Sequence, residues 1–144
     1  MSDFYNMLDL KGSSLGNHEF DFGPEFLFPY LDKKNSVNLA ANLRSEKGEM
    51  NFLDKQKASQ IYSFPNGIKI GVIGLSTLET PDTTAGFSGG KFPPYRFLDY
   101  KEVVMDESRK LRVAGANAVL ITSHVGDACP IDLTYGNWTK DTIQ

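Results

Sequence analysis

The chain has 144 residues, a formal charge of −3 and 40% apolar residues, enough core material for one compact domain or part of a larger one. Acidic and basic residues interleave with no Lys/Arg block, which argues against nucleic-acid binding as the main activity. A small anionic substrate stays open, since a bound metal can supply positive charge locally. No apolar run approaches about 18 residues, the start Met1-Ser2-Asp3-Phe4 lacks a basic-then-apolar pattern, and the single Cys129 excludes an internal disulfide and a multi-cysteine zinc site.

In chain order, residues 3–10 read as a short helix capped by Ser2 or Asp3 and stopped at Gly12. Residues 13–15 form a brief strand leading into Gly16. A second helix opens at Pro24-Glu25, with Pro29 expected to kink or restart it and Lys33 and Lys34 at its end. Val37 to Ala41 is a short buried strand, and 44–59 a polar loop with some helix. Gln60–Phe64, the turn Pro65-Asn66-Gly67 and Ile68–Leu75 make a hairpin, whose nearly all-apolar second strand suits burial on both faces.

Residues 80–98 are rich in glycine and proline and read as a long surface loop. Asp99 and Glu102 resemble a capping box opening a helix, with Tyr100, Val103, Val104, Leu111 and Ala114 on one face and Gly115 as its stop. Ala118–Thr122 is the next buried strand and delivers Ser123-His124 at its end. Alternating strands and helices imply a layered α/β domain, where ligands bind beyond the carboxyl ends of strands. His124 and the Gly16-Asn17-His18 corner both lie at such ends.

Gly16-Asn17-His18-Glu19-Phe20-Asp21 packs a carboxamide, an imidazole and two carboxylates into one turn. Gly16 permits a sharp bend, and Asn17 offers a neutral oxygen to a divalent ion. His18 can give a proton or hydrogen bond to developing negative charge, and Asp21 is near enough to orient it. Singly, each of these residue types is ordinary turn and cap chemistry; the six together are far more specific.

The string resembles the motif of calcineurin-like metallophosphoesterases of the 5′-nucleotidase branch. Tyr5-Asn6-Met7-Leu8 with Leu15 to Gly23, Leu39 to Leu43, Gly67 to Leu75, and Leu111 through Ile121-Thr122-Ser123-His124-Val125-Gly126 extend the likeness over most of the chain. The resemblance implies a layered α-β-β-α fold and hydrolysis of phosphate monoesters, foremost nucleoside 5′-phosphates. It makes Asn17 and His124 ligands of one of two divalent ions, and His18 and Asp21 a catalytic dyad. The ion type stays open, and relatives of this kind are often exported or surface-bound.

The family also carries Asp-x-His and Gly-Asp before the motif and Gly-His-x-His after His124. Here only Met1 to Leu15 precede it, and His18 and His124 are the only histidines. Residues 1–144 are therefore expected to be a partial catalytic domain, an internal segment incomplete at both ends and lacking its flanking parts. Each ion needs about three protein ligands. The isolated chain is thus expected to bind metal weakly and turn over little substrate. Alternatives are a catalytically dead remnant acting as a binding module, a nucleotide-binding module without metal, and a cyclic-phosphodiester or nucleotide-sugar hydrolase of the same branch.

Other features carry less. Lys91 would be a phosphate-loop lysine only if position 85 were glycine and 92 a hydroxyl residue, and they are Ala85 and Phe92. Gly71 and Gly74 suit close helix packing. Glu19 is read as a surface or supporting residue, and Asn42 as either support for the site or a plain turn. Phe92, Tyr95 and Phe97 read as loop packing rather than a base-stacking platform. Asn137-Trp138-Thr139 is a sequon of small weight, and Cys129 a free thiol or half of an unseen pair.

Overall fold

The computed structural model describes residues 2–45, 56–84 and 95–125. Expectations for 46–55, for the glycine-rich loop with Ala85, Lys91 and Phe92, and for the tail with Cys129 and Asn137 lie outside them.

The first helix, α1 (Ser2–Met7), ends earlier than expected, and Gly12 opens strand β1 (Gly12–Ser14) instead of stopping a helix. The chain leaves α1 through Asp9, which takes a left-handed φ of 51°. Helix α2 (Pro24–Asp32) starts on proline as expected, but runs through Pro29 without a restart. Proline costs such a helix one amide donor. The apolar face holds the helix on the core: Leu27 and Leu31 cluster with Leu15, Phe20, Ala40 and Leu43.

Strand β2 (Val37–Leu39) pairs in parallel with β1 and with β4 (Gln56–Lys57). Strand β3 (Leu43–Ser45) pairs antiparallel with β7 (Tyr95–Phe97). The ends of the two stretches expected to be loops, 44–59 and 80–98, are therefore strands. The polar residues of 44–59 and the glycines and prolines of 80–98 misled a reading by composition, because these short strands are set by pairing with distant backbone. The 80–98 stretch also begins with a short helix, α3 (Thr80–Thr84).

The hairpin is as expected: β5 (Ser59–Ser63) turns through Gly67, at φ 83°, into β6 (Lys69–Ser76). Strand β6 is central, with β5 on one side and β8 (Ala118–His124) in parallel on the other. Helix α4 (Tyr100–Val113) is capped by Asp99, whose side chain accepts from the Lys101 amide at 2.9 Å, and stops before Gly115 at φ 91°. Val103 and Leu111 are buried against Ile73 and Leu75, while Ala114, expected on that face, is exposed. Glu107 was missed: it is buried and accepts from Ser59 Oγ at 2.8 Å and Lys110 Nζ at 2.6 Å.

Two layers of strand thus meet. A Cβ built on Gly74 of β6 would collide with the backbone of Leu39 in β2. A Cβ on Gly71 would meet Leu111 Cδ1 of α4 at 2.8 Å. Gly71 allows close helix packing as expected. Gly74 instead lets one strand approach another, because at that point the neighbour is a strand. Helix α2 lies on the first sheet, where its following residue Lys34 is buried. The Lys34 ammonium reaches Ser13 Oγ at 2.9 Å and Asn38 Oδ1 at 3.0 Å and lies beside the rings of Tyr5 and Tyr30. Burial pulls its pKa below the ordinary lysine range, with Glu19 opposing.

Strand β8 was expected to be buried. It is an edge strand instead, with Leu120 54% and Ile121 51% exposed. Its apolar sequence suits a strand with neighbours on both edges, and among the described residues it has only β6. No helix among the described residues is long and apolar enough to cross a membrane.

Candidate functional site

Residues 18–20 form a 3₁₀ turn after β1, with Asn17 and Asp21 flanking it. Three residues per turn place i and i+3 side chains in line. His18 and Asp21 meet for that reason: His18 Nδ1 donates to Asp21 Oδ2 at 2.7 Å. The imidazole is 71% exposed and the carboxylate only 12%. This leaves His18 Nε2 free of Asp21, on a ring open to solvent, with its orientation held from the buried side. Asp21 Oδ1 is buried with no partner in the structure. That oxygen keeps its full acceptor capacity in a site of reduced solvation.

The chain bends at Asn17, directly after Gly16, without a left-handed φ at Gly16. A Cβ there would meet Glu19 Oε2 at 2.8 Å and His124 Cγ and Nδ1 at 3.1 Å. Gly16 is therefore the floor on which the His124 ring lies. Glu19, read as a surface or supporting residue, closes the turn by accepting from the Gly16 amide at 2.7 Å.

His124 ends β8 and pairs in register with Ser76, the last residue of β6. Its Nε2 lies 2.9 Å from Asn17 Oδ1, although 107 residues separate them. With the proton on Nε2 the imidazole donates to the carboxamide oxygen, and with the proton on Nδ1 the Nε2 lone pair is available to an ion. Two atoms sharing one ion at about 2.1 Å each, at a right angle, would lie about 3.0 Å apart. The pair therefore fits part of one ion's ligand set. Among the described residues, no group of three or more His, Cys, Asp or Glu converges to complete a site.

Two supporting residues were not assigned a role from sequence. Asn42 is fully buried, donates to Ser76 O at 2.8 Å and accepts from Ser76 N at 3.0 Å. Ser76 Oγ donates in turn to Leu15 O at 2.7 Å. This chain of bonds ties the turn after β2, which holds Asn42, the end of β6 and the residue before Gly16 into one unit, so Asn42 lies in a turn and also braces the strand ends that carry Asn17 and His124. Thr83 of α3 accepts from Asn17 Nδ2 at 3.1 Å. Only the topology could reveal these partners, because isolated Asn and Thr carry no motif. Tyr95 and Phe97 pack edge-on against Phe20, at 6.4 and 6.0 Å between ring centres, so the expected packing role holds for these two but from strand β7 and not from a loop.

No family model matches the chain. It is similar to the 5′-nucleotidase precursor of Thermus thermophilus, with a TM-score of 0.74 and 28% identity, over 87% of this chain and 23% of that one. A calcineurin-like phosphoesterase of Bacillus subtilis matches in fold, with a TM-score of 0.72 at 22% identity, over 88% of this chain and 38% of that one. The chain is built like a segment of a calcineurin-like phosphoesterase of the 5′-nucleotidase branch. A snake venom 5′-nucleotidase of Crotalus adamanteus is 34% identical over 85% of this chain and 20% of its own length. The chain spans about a fifth to a quarter of the length of the curated relatives it matches. The relatives are hydrolases by name, and the mixed α/β layering of the segment is that of its structural neighbours.

Proposed function

We propose that this chain supplies part of the active site of a metal-dependent hydrolase of phosphate monoesters, foremost nucleoside 5′-phosphates. The observation that carries the reading is the 2.9 Å approach of Asn17 Oδ1 and His124 Nε2, two ligand-type atoms brought together from opposite ends of the described chain. Asn17 and His124 would hold one divalent ion. Such an ion supplies positive charge to a phosphoryl group. The adjoining His18 offers a hydrogen bond or a proton from a ring aimed by Asp21, where charge develops on oxygen.

Among the described residues the ligand set stops at Asn17 and His124. Turnover by this chain alone is expected to be small for the same reason. Any phosphate release from 5′-AMP that it does show with a divalent ion present should fall about 10²-fold or more in His18→Ala, the usual range for a lost acid–base group. Equal release by wild type and variant would remove His18 from the proposed role.

Metal titration followed by the His124 imidazole resonances tests the ligand assignment. Asn17→Ala and His124→Ala should each weaken Mn²⁺ or Co²⁺ binding by about 10-fold or more, the scale known for residues that hold or support a bound metal. His124→Ala is read calorimetrically, since it lacks the reporter. If both variants bind as wild type does, the assignment is wrong.

A further inference from the structure

We propose that Thr83 is the residue that decides which end of the Asn17 carboxamide faces the site. The inference rests on the reading of Asn17 as an oxygen ligand and adds a positioning residue to it.

An asparagine amide has an oxygen and a nitrogen of nearly the same size. Only the polarity of its hydrogen bonds tells them apart. At position 17 the nitrogen donates to Thr83 Oγ1 at 3.1 Å, and the oxygen faces His124. A hydroxyl could in principle serve either end, since it both donates and accepts. Here it cannot. Thr83 has one hydroxyl proton, and its own helix offers that proton two carbonyls, Glu79 O at 3.0 Å and Thr80 O at 3.3 Å. With the proton committed to the backbone, Thr83 presents only lone pairs to Asn17.

Polarity then runs in one direction, from the Asn17 amide to the Thr83 hydroxyl and on to the α3 backbone. Turning the carboxamide over would set its oxygen against those lone pairs. It would also aim an amide NH2, whose lone pair is delocalised into the carbonyl, at the ligand position beside His124. Both consequences are unfavourable, so the oxygen is the end kept on the His124 side.

The platform is stiff enough for this task. Thr80 and Thr84 are fully buried, and their hydroxyls donate to Thr77 O and Thr80 O, each at 2.7 Å. The Glu79 amide donates to Thr77 Oγ1 at 3.3 Å. Three threonine hydroxyls of α3 thus bond backward to carbonyls, and only that of Thr83 also meets the motif.

The experiment uses the full chain with Thr83→Val, which keeps the shape and removes the oxygen, and Thr83→Ser, which restores the oxygen. Circular dichroism checks that both fold, and Thr83 is exposed, so little stability is at stake. Without metal, the side-chain amide proton of Asn17 held by Thr83 should resonate downfield in wild type and Thr83→Ser, and move to free-amide values in Thr83→Val. An Asn17 amide pair unchanged in Thr83→Val overturns the proposal. With Mn²⁺ or Co²⁺, Thr83→Val should weaken binding by about 10-fold, as loss of a ligand-orienting partner does, with Thr83→Ser close to wild type. If Asn17→Ala loses affinity and Thr83→Val does not, the positioning role fails while the ligand reading stands. If Asn17→Ala and His124→Ala both bind as wild type does, the ligand reading itself fails.

Discussion

Gly74→Ala is expected to cost about 3 kcal/mol or more, because overpacking against a rigid neighbour lies at the upper end of its usual range. The added methyl would overlap Leu39 Cβ and lie 2.5 Å from its carbonyl carbon and oxygen. Two of those three atoms are backbone, so no rotamer change relieves the overlap. The strands would have to separate, and that strains the bond from the Ala41 amide to Gly74 O at 2.7 Å. Set against a total stability of about 5–15 kcal/mol, this is a large share. Gly71→Ala is the control. Its methyl meets only side-chain atoms of Leu111, which can turn aside. Urea unfolding of the two variants compares them directly. A Gly74→Ala penalty below about 1 kcal/mol, within the ordinary range for a tolerated swap, would mean that the two layers do not meet as described.

Asn42→Ala should be comparably damaging by a different route. Removing the carboxamide strips partners from both the amide and the carbonyl of Ser76, which is itself fully buried. Each orphaned buried group costs about 1–3 kcal/mol, so the expected loss is about 2–6 kcal/mol. Asn42→Asp should not recover it, since the second carboxylate oxygen would face the Ser76 carbonyl and the charge would be buried unpaired. The loss should also reach the site. Ser76 pairs with His124 in the sheet, and its hydroxyl holds Leu15 O, just before Gly16. Hydrogen exchange at the Ser76 and Gly16 amides would show both effects. Protection that is unchanged at Ser76 in Asn42→Ala would contradict the clamp.

Local chemistry made much of this legible without coordinates. The His18–Asp21 pair follows from three-residue spacing in a tight turn. Helix α4 was readable from its Asp99 cap, its apolar face and Gly115, and the hairpin from Pro65-Asn66-Gly67. These features depend on residues within a few positions of one another. The misreadings have a common cause too. Strands β3, β4 and β7 have only two or three residues each, and they exist because distant backbones pair with them. Pro29 reads as a breaker, yet packing of Leu27 and Leu31 carries α2 through it. Strand β8 has the composition of an interior strand and the position of an edge one.

The motif from Gly16 to Asp21 was determined by the sequence alone, together with the family likeness, the dyad and the candidacy of Asn17 and His124. A dense string of unlike functional groups is specific wherever it sits. Tertiary structure alone decided that Asn17 and His124 meet, that Glu19 and the His124 ring crowd Gly16, and that Thr83 bonds Asn17 while Asn42 bonds Ser76. Those facts rest on strand register and on approaches of about 3 Å between residues tens of positions apart. A contact of that kind is a property of the folded backbone, and the identity of either partner does not reveal it.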